Sequence, residues 1–331
     1  MSRSPALPDV SIVIVNWNSR VFLAQCLATI YATPRDLEIE VIVIDNASYD
    51  GSEAMVREGF PSVTFIQGRE NLGFARANNV AAGHATGRTL LFLNPDTEVV
   101  GTAIERMVRF LDATPHAGAV GCKLLNTDGS LQTSCVQAFP TIANQVLDSE
   151  FLQRLFPRSS LWGMQAFLDE RAAPARVQAL SGACILVRRD ASQRVGHFTE
   201  DYFMYAEDID LCFKLQKAGL RNYYLGDVCV IHHGGQSSGA SSESQFGNVL
   251  MRESIAKFLH RHRGANYALA YRVALGFTAL ARLSALGLAR MLGLGLYKSK
   301  AVDSGLRKWR SVLRWAVGAE TWVRNPGARP S

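Results

Sequence analysis

Residues 90–98 read Leu-Leu-Phe-Leu-Asn-Pro-Asp-Thr-Glu, an apolar run that stops in a polar loop carrying a carboxylate. A buried strand of this kind delivers Asp96 to the carboxyl edge of a sheet, where open α/β folds bind their ligands. The proline before Asp96 cannot continue a central strand and turns the chain into a loop. A carboxylate placed there suits a hard divalent cation on a diphosphate, with the other coordination positions left to phosphate and water. The same residue could instead cap a helix starting near Val100. A second pair of acids, Glu207 and Asp208, follows an aromatic-rich stretch and opens a helix. Acids in a first helical turn are favoured by the dipole alone. A carboxylate beside a second carboxylate and aromatic rings also has its pKa raised toward the range of a general base. Asp210 points elsewhere on that helix and reads as structural. Residues 230–235 read Val-Ile-His-His-Gly-Gly at a strand end. His232 and His233 face opposite sides of the strand, so at most one reaches a shared site. His232 is the candidate metal ligand or diphosphate contact.

These residues need a scaffold that brings several loops to one edge. Apolar runs at 10–16, 40–45, 62–67 and 89–94 read as buried strands, and helical spacing at 22–31, 52–58, 75–84 and 103–111 alternates with them. Strands alternating with helices of this length predict an α/β fold with a parallel, doubly wound sheet. Its strand ends would present Asn16 and Asn18, then Asp45 with residues 46–52, then Asn71, Gly73, Arg76 and Asn79, then Asn94 and Asp96. Each loop alone is ordinary turn chemistry. Four in register offer carboxylates and backbone amides to a nucleotide and its phosphates. No G-x-G-x-x-G or G-x-x-x-x-G-K-[ST] occurs, which argues against a dinucleotide fold and a P-loop NTPase. Residues 126–176 break the alternation, with a turn at Asp128-Gly129, loops and short helices, and read as a lid or acceptor-side insertion. A strand is expected over 178–188. Within it Ser181, Gly182 and Ala183 leave room either for a sugar ring or for close strand packing. A helix over 209–218 stopped by Gly219 and a strand over 222–232 follow, and the Gly/Ser-rich stretch 237–244 reads as mobile.

The 331 residues are 48% hydrophobic and 19% charged, an ordinary globular balance. The six cysteines are scattered without a C-x-x-C pair and read as reduced core thiols, and the first ten residues lack the apolar segment of a secretory signal, so a cytoplasmic protein is expected. The net charge of +6 hides a split, because residues 252–331 hold 15 Lys/Arg against 3 Asp/Glu. Residues 268–296 are Leu/Ala/Gly-rich but interrupted by Arg272, Arg282 and Arg290, which share one helical face. The uncharged run 273–281 is too short to span a bilayer, and an amphipathic helix lying on an anionic membrane surface fits better, with Trp309, Trp315 and Trp322 among arginines in the same role. Tryptophans beside arginines can also stack on bases, but the apolar stretch before them favours lipid over nucleic acid. The organisation expected is a domain over 1–250, with halves at 10–125 and 126–250, and a basic helical extension over 251–331.

Taken together, these segments resemble the inverting GT-A nucleotide-sugar glycosyltransferases of family 2, in the bacterial rhamnosyltransferase-like branch. The carriers are residues 10–19, 43–52, 70–79, 91–98, 181–189, 205–214 and 230–238, in family order. The resemblance implies that Asp45 contacts the nucleotide base, with the Asn16 loop lining the same pocket. It implies that Asp96 holds Mg2+ or Mn2+ on the donor diphosphate with His232, that Asp208 is the catalytic base, and that residues 181–183 lie near acceptor and donor sugar. Position 94 is Asn where the family's motif has Asp, so this site has one fewer negative charge. The implied partners are a nucleotide-sugar donor, foremost dTDP-rhamnose, and a lipid-linked saccharide acceptor on the inner face of the cell membrane. Another donor such as UDP-galactofuranose or UDP-GlcNAc with a polysaccharide acceptor is the alternative, as is a non-catalytic nucleotide-sugar-binding module.

Overall fold

In the computed structural model, residues 7–33, 36–168, 174–234, 245–291 and 299–324 are described. The early apolar runs become β1 (Val10–Asn16), β2 (Ile39–Asp45), β3 (Thr64–Gln67) and β4 (Thr89–Leu93), joined by α1 (Arg20–Ala32), α2 (Ser52–Gly59) and α3 (Gly73–Ala82). They pair in the order β3-β2-β1-β4, all parallel, as one half of a nine-stranded sheet. Val41 to Ile44 and Leu90 to Leu93 are buried without alternation, as a sheet covered on both faces requires.

The other half is mixed. β5 (Thr97–Val99), α4 (Ala103–Ala113) and β6 (Ala117–Leu125) follow, then β7 (Val136–Gln137), α5 (Ile142–Val146), α6 (Glu150–Leu155) and α7 (Gln165–Leu168). The chain returns through β8 (Ala175–Val177), β9 (Ala179–Leu180), β10 (Cys184–Arg188), α8 (Arg189–Arg194), α9 (Glu207–Lys217) and β11 (Arg221–His232). β10 lies between β4 and β6 and runs antiparallel to both, and β11 is parallel to β6. The reason is topological. The excursion after β6 leaves from the carboxyl edge and comes back at that edge, so the strand it feeds must point the other way. The strand expected over 178–188 is broken by residues 181–183 into β9 and β10. Asp96 caps no helix, since α4 starts at Ala103 after Thr102. The short β5 intervenes instead.

The chain divides into two compact units, one of residues 1–139, 156–203 and 207–239, the other of 140–155, 204–206 and 240–331. The second unit thus takes a segment that the sequence places with the sheet. The stretch 237–244 lies outside the described residues. Within the second unit α10 (Gln245–Arg263), α11 (Ala265–Met291) and α12 (Ser299–Ala316) associate, and here Arg272, Arg282, Trp309 and Trp315 of the expected membrane-facing set turn inward. Trp315 is fully buried, with Nε1 donating to Glu253 Oε2 at 2.8 Å. Arg272 sits over its ring at 4.8 Å and donates to the Ala316 carbonyl at 3.1 Å, closing the carboxyl end of α12. Arg282 covers the ring of the buried Trp309 at 4.5 Å. Two of the three α11 arginines thus turn inward, while Arg290 stays exposed and pairs with Asp303 at 2.7 Å. What α11 exposes is an apolar ridge of Leu269, Val273, Phe277, Leu280, Leu288 and Met291. Among the described residues, α11 is the one helix long and apolar enough to cross a membrane.

Candidate active site

The parallel register builds the first corner. Asn16 on β1 and Gln67 on β3 are both register partners of Asp45 on β2, so three polar residues end adjacent strands side by side. Asp45 is 1% exposed. Its carboxylate accepts from Asn16 Nδ2 at 2.7 Å, the Ser48 N–H at 2.6 Å and Gln67 Nε2 at 3.1 Å. A carboxylate has about four lone-pair directions, so one more donor can be taken. Asn16 Oδ1 is buried without a hydrogen-bond partner. Asn18, at φ +49, joins the same loops: its N–H donates to Ser48 Oγ at 2.8 Å and its Oδ1 accepts from the Tyr49 N–H at 3.0 Å.

The second corner comes from β5 pairing antiparallel with β11. That register sets His232 opposite Thr97 and hence beside Asp96. Asp96 is fully buried, and His232 Nε2 lies 3.4 Å from its Oδ1. Two ligands about 2.1–2.2 Å from one cation stand about 3.0–3.1 Å apart at a right angle and about 3.4 Å apart where the angle opens to about 105°. The pair therefore fits a divalent ion. Among the described residues no further His, Cys, Asp or Glu completes a metal cluster with them, which leaves the remaining positions to ligands such as diphosphate and water. Asn94 Nδ2 lies 3.2 Å from His232 Nε2, so the residue in the Asp-x-Asp position touches the histidine. His233 faces away, bonded to Glu98 Oε1 at 2.8 Å and Thr127 Oγ1 at 2.9 Å.

The third corner carries Asp208. Tyr205 and Ala206 both adopt left-handed backbone, at φ +70 and +67. Consecutive non-glycine residues there are strained, a feature that clusters at functional sites. The helix then begins with Glu207, which is buried, and Asp208. Asp208 Oδ2 accepts the Gly182 N–H at 2.8 Å, and Oδ1 accepts the Ile209 N–H at 2.7 Å. Burial pushes the Asp208 carboxyl above its ordinary value, against the lowering by those amides. A Cβ on Gly182 would stand 3.3 Å from Asp208 Cβ, so the missing side chain at 182 is what leaves room for the carboxylate. Asp210 is structural, as expected: it is fully buried and bonded by Thr199 Oγ1 at 2.6 Å.

The architecture has counterparts among known proteins. The model of Glycosyl transferase family 2 matches residues 11–196, more than half of the chain, and that of Glycosyl transferase family group 2 matches residues 134–299. The chain belongs to glycosyl transferase family 2. It is 32% identical, over 70% of its length and 78% of the relative's, to the N-acetylglucosaminyl-diphospho-decaprenol L-rhamnosyltransferase of Mycobacterium tuberculosis. It is 26% identical to rhamnosyltransferase WbbL of Escherichia coli K12, covering 68% of this chain and 83% of that one. Its fold matches the mannosyltransferase PcManGT of Pyrobaculum calidifontis, solved with GDP-Man and Mn2+, with a TM-score of 0.61 at 22% identity over 95% and 88% of the two chains.

Not every expected contact residue of this glycosyltransferase lines the corners. Asn71 Oδ1 accepts the Gly73 N–H at 2.9 Å and shapes the entry to α3. Gly73 is required by its φ of +77 and by the Phe203 carbonyl, 2.4 Å from where a Cβ would be. Arg76 is exposed on α3. Asn79 is a brace: its amide bonds the Phe198 carbonyl at 2.8 Å, the Phe198 N–H at 3.0 Å and Glu200 Oε1 at 3.1 Å. The sequence placed Ser48 in the candidate loop after Asp45 but gave no signal for Gln67, which completes the Asp45 corner, or for Gln132, which holds His232. Strand register would point to Gln67 once β3 is placed. Nothing local points to Gln132.

Proposed function

We propose that this glycosyltransferase moves L-rhamnose from dTDP-rhamnose to a polyprenyl-diphosphate-linked N-acetylglucosamine, with inversion, in the assembly of a bacterial cell-wall or surface polysaccharide. The observation that carries the chemistry is Asp208: a carboxylate raised by burial and aimed by two backbone amides is a competent general base. The substrate assignment rests on the named activities of the M. tuberculosis and E. coli relatives.

In this reading the Asp45 corner takes the base of the nucleotide, whose imide N–H fills the remaining acceptor direction of Asp45. Asp96 and His232 hold Mg2+ or Mn2+. A cation there supplies electrostatic stabilisation of the departing diphosphate. Asp208 takes the proton of an acceptor hydroxyl. The hydroxyl oxygen bonds to the anomeric carbon from the face opposite the nucleoside diphosphate, whose bond to that carbon breaks. The transition state resembles an oxocarbenium ion, as in glycoside hydrolysis. One displacement inverts the centre, and the nucleoside diphosphate leaves with the bonding electron pair.

The acceptor's lipid places the enzyme on the inner face of the membrane, and the exposed ridge of α11 supports this. A face of large apolar side chains on a unit rich in arginine suits insertion to the acyl boundary of an anionic bilayer. Phe277→Asp is expected to abolish co-flotation with anionic vesicles while leaving the melting temperature unchanged. Flotation equal to wild type would remove the ridge from the reading.

The deciding assay is transfer from dTDP-rhamnose to a short polyprenyl-diphosphate-N-acetylglucosamine, with Mg2+ or Mn2+ and with EDTA. Metal-dependent transfer is expected. A folded protein that transfers no rhamnose sinks the donor assignment and opens a screen of other nucleotide sugars.

A further inference from the structure

The side chain of Gln132 contacts His232 twice. Its Nε2 donates to the His232 backbone carbonyl at 2.6 Å, and its Oε1 lies 2.9 Å from the imidazole Nδ1. These contacts settle the protonation pattern by elimination. A backbone carbonyl only accepts, so the amide end facing it is the NH2. The end facing the ring is then an oxygen, which also only accepts. Nδ1 must carry the proton, and in the neutral ring Nε2 is left with a lone pair. That lone pair is on the nitrogen 3.4 Å from Asp96 Oδ1.

Gln132 is itself held in place. It follows the turn 126–130, closed by the Asn126 N–H to the Ser130 carbonyl at 2.7 Å. Leu131 bridges back to Leu125 on β6, and the Gln132 N–H donates to the Leu124 carbonyl at 2.9 Å. We infer that Gln132 is a positioning residue that fixes His232 as its Nδ1–H tautomer and aims Nε2 at the Asp96 carboxylate. The inference deepens the reading of His232 as a metal ligand and rests on it. Outer partners of this kind orient a histidine ligand, and their loss commonly weakens metal binding about 10–100-fold.

The test compares wild type with Gln132→Met, which keeps the length but offers Nδ1 no oxygen, and Gln132→Glu, which restores an acceptor. The first readout is the imidazole tautomer of His232 by 15N NMR without metal. The second is Mn2+ affinity in the presence of dTDP. Wild type and Gln132→Glu are expected to hold the Nδ1–H form. Gln132→Met is expected to mix tautomers and bind Mn2+ about tenfold or more weakly. An Nε2–H wild type, or a Gln132→Met protein with unchanged tautomer and affinity, overturns the inference. If Gln132→Met fails to fold, the wild-type and Gln132→Glu tautomers still decide. Wild type that holds the Nδ1–H form but binds no Mn2+ refutes the metal-ligand reading alone, because the tautomer is read without metal.

Discussion

Asp45 and Asp208 stand at the carboxyl edge of one sheet and are held in opposite ways. Asp45 is surrounded by donors from two side chains and a backbone amide, each delivered by strand register or the loop that follows it. Asp208 has two backbone amides, and burial wins over them. Under the proposed function, the contrast separates nucleotide recognition from proton transfer along one edge. Asp45, with three close donors, is held as a fixed acceptor. Asp208, with two, has its carboxyl raised by burial.

The contrast breaks most visibly at the base. Asp208→Asn removes the proton acceptor but keeps the shape, and transfer is expected to fall by about 10²–10⁴, with donor affinity little changed. Steady-state rates beside dTDP binding separate the two effects. A comparable loss of dTDP binding would mean that Asp208 belongs to the donor pocket. At the other corner, Asp45→Ala is expected to weaken dTDP binding and also the fold. It leaves the buried Asn16 amide and the half-buried Ser48 N–H without their carboxylate acceptor, at about 1–3 kcal/mol, which urea denaturation measures.

A third test uses pH. The folded-state pKa of Asp208 lies above its unfolded value of about 3.9. Ionising Asp208 therefore weakens the fold. That penalty is absent below the unfolded pKa and complete above the folded one. Asp208→Asn should thus melt higher than wild type at pH 7–8, and the gain should vanish as pH falls to about 4. A gain that grows toward low pH would reverse the assigned shift. The smallest effect is expected from Gly182→Ala, whose methyl meets Asp208 Cβ at 3.3 Å. It should lower kcat a few-fold by displacing the base while leaving dTDP affinity alone, and a Gly182→Ala enzyme with wild-type kcat would show that the carboxylate has room to shift.

Much of the first corner was legible because strands report themselves. Four apolar runs of strand length, three ending in Asn or Asp and one in Gln, can hardly be read otherwise, and parallel register then places Asn16 beside Asp45. The second half was harder. Residues 178–188 look like one strand because alternation and apolarity continue through Ser181 to Ala183, and only the turn toward β10 reveals the break. The tail misled in orientation. The shared face of Arg272 and Arg282 was real, but indole rings and helix-end carbonyls within the same unit outcompete water for those guanidinium groups.

The amino-acid sequence by itself determined the family and the parallel half of the sheet, and named Asp45, Asp96, Asp208 and His232 as candidates. These depend on local periodicity and on residues next to one another in the chain. The tertiary structure decided which of two adjacent histidines faces Asp96, that Gln132, 100 residues away, holds it, and that Gly182 makes room for the base. Those facts follow from antiparallel register and from contacts between distant segments, which no local pattern encodes.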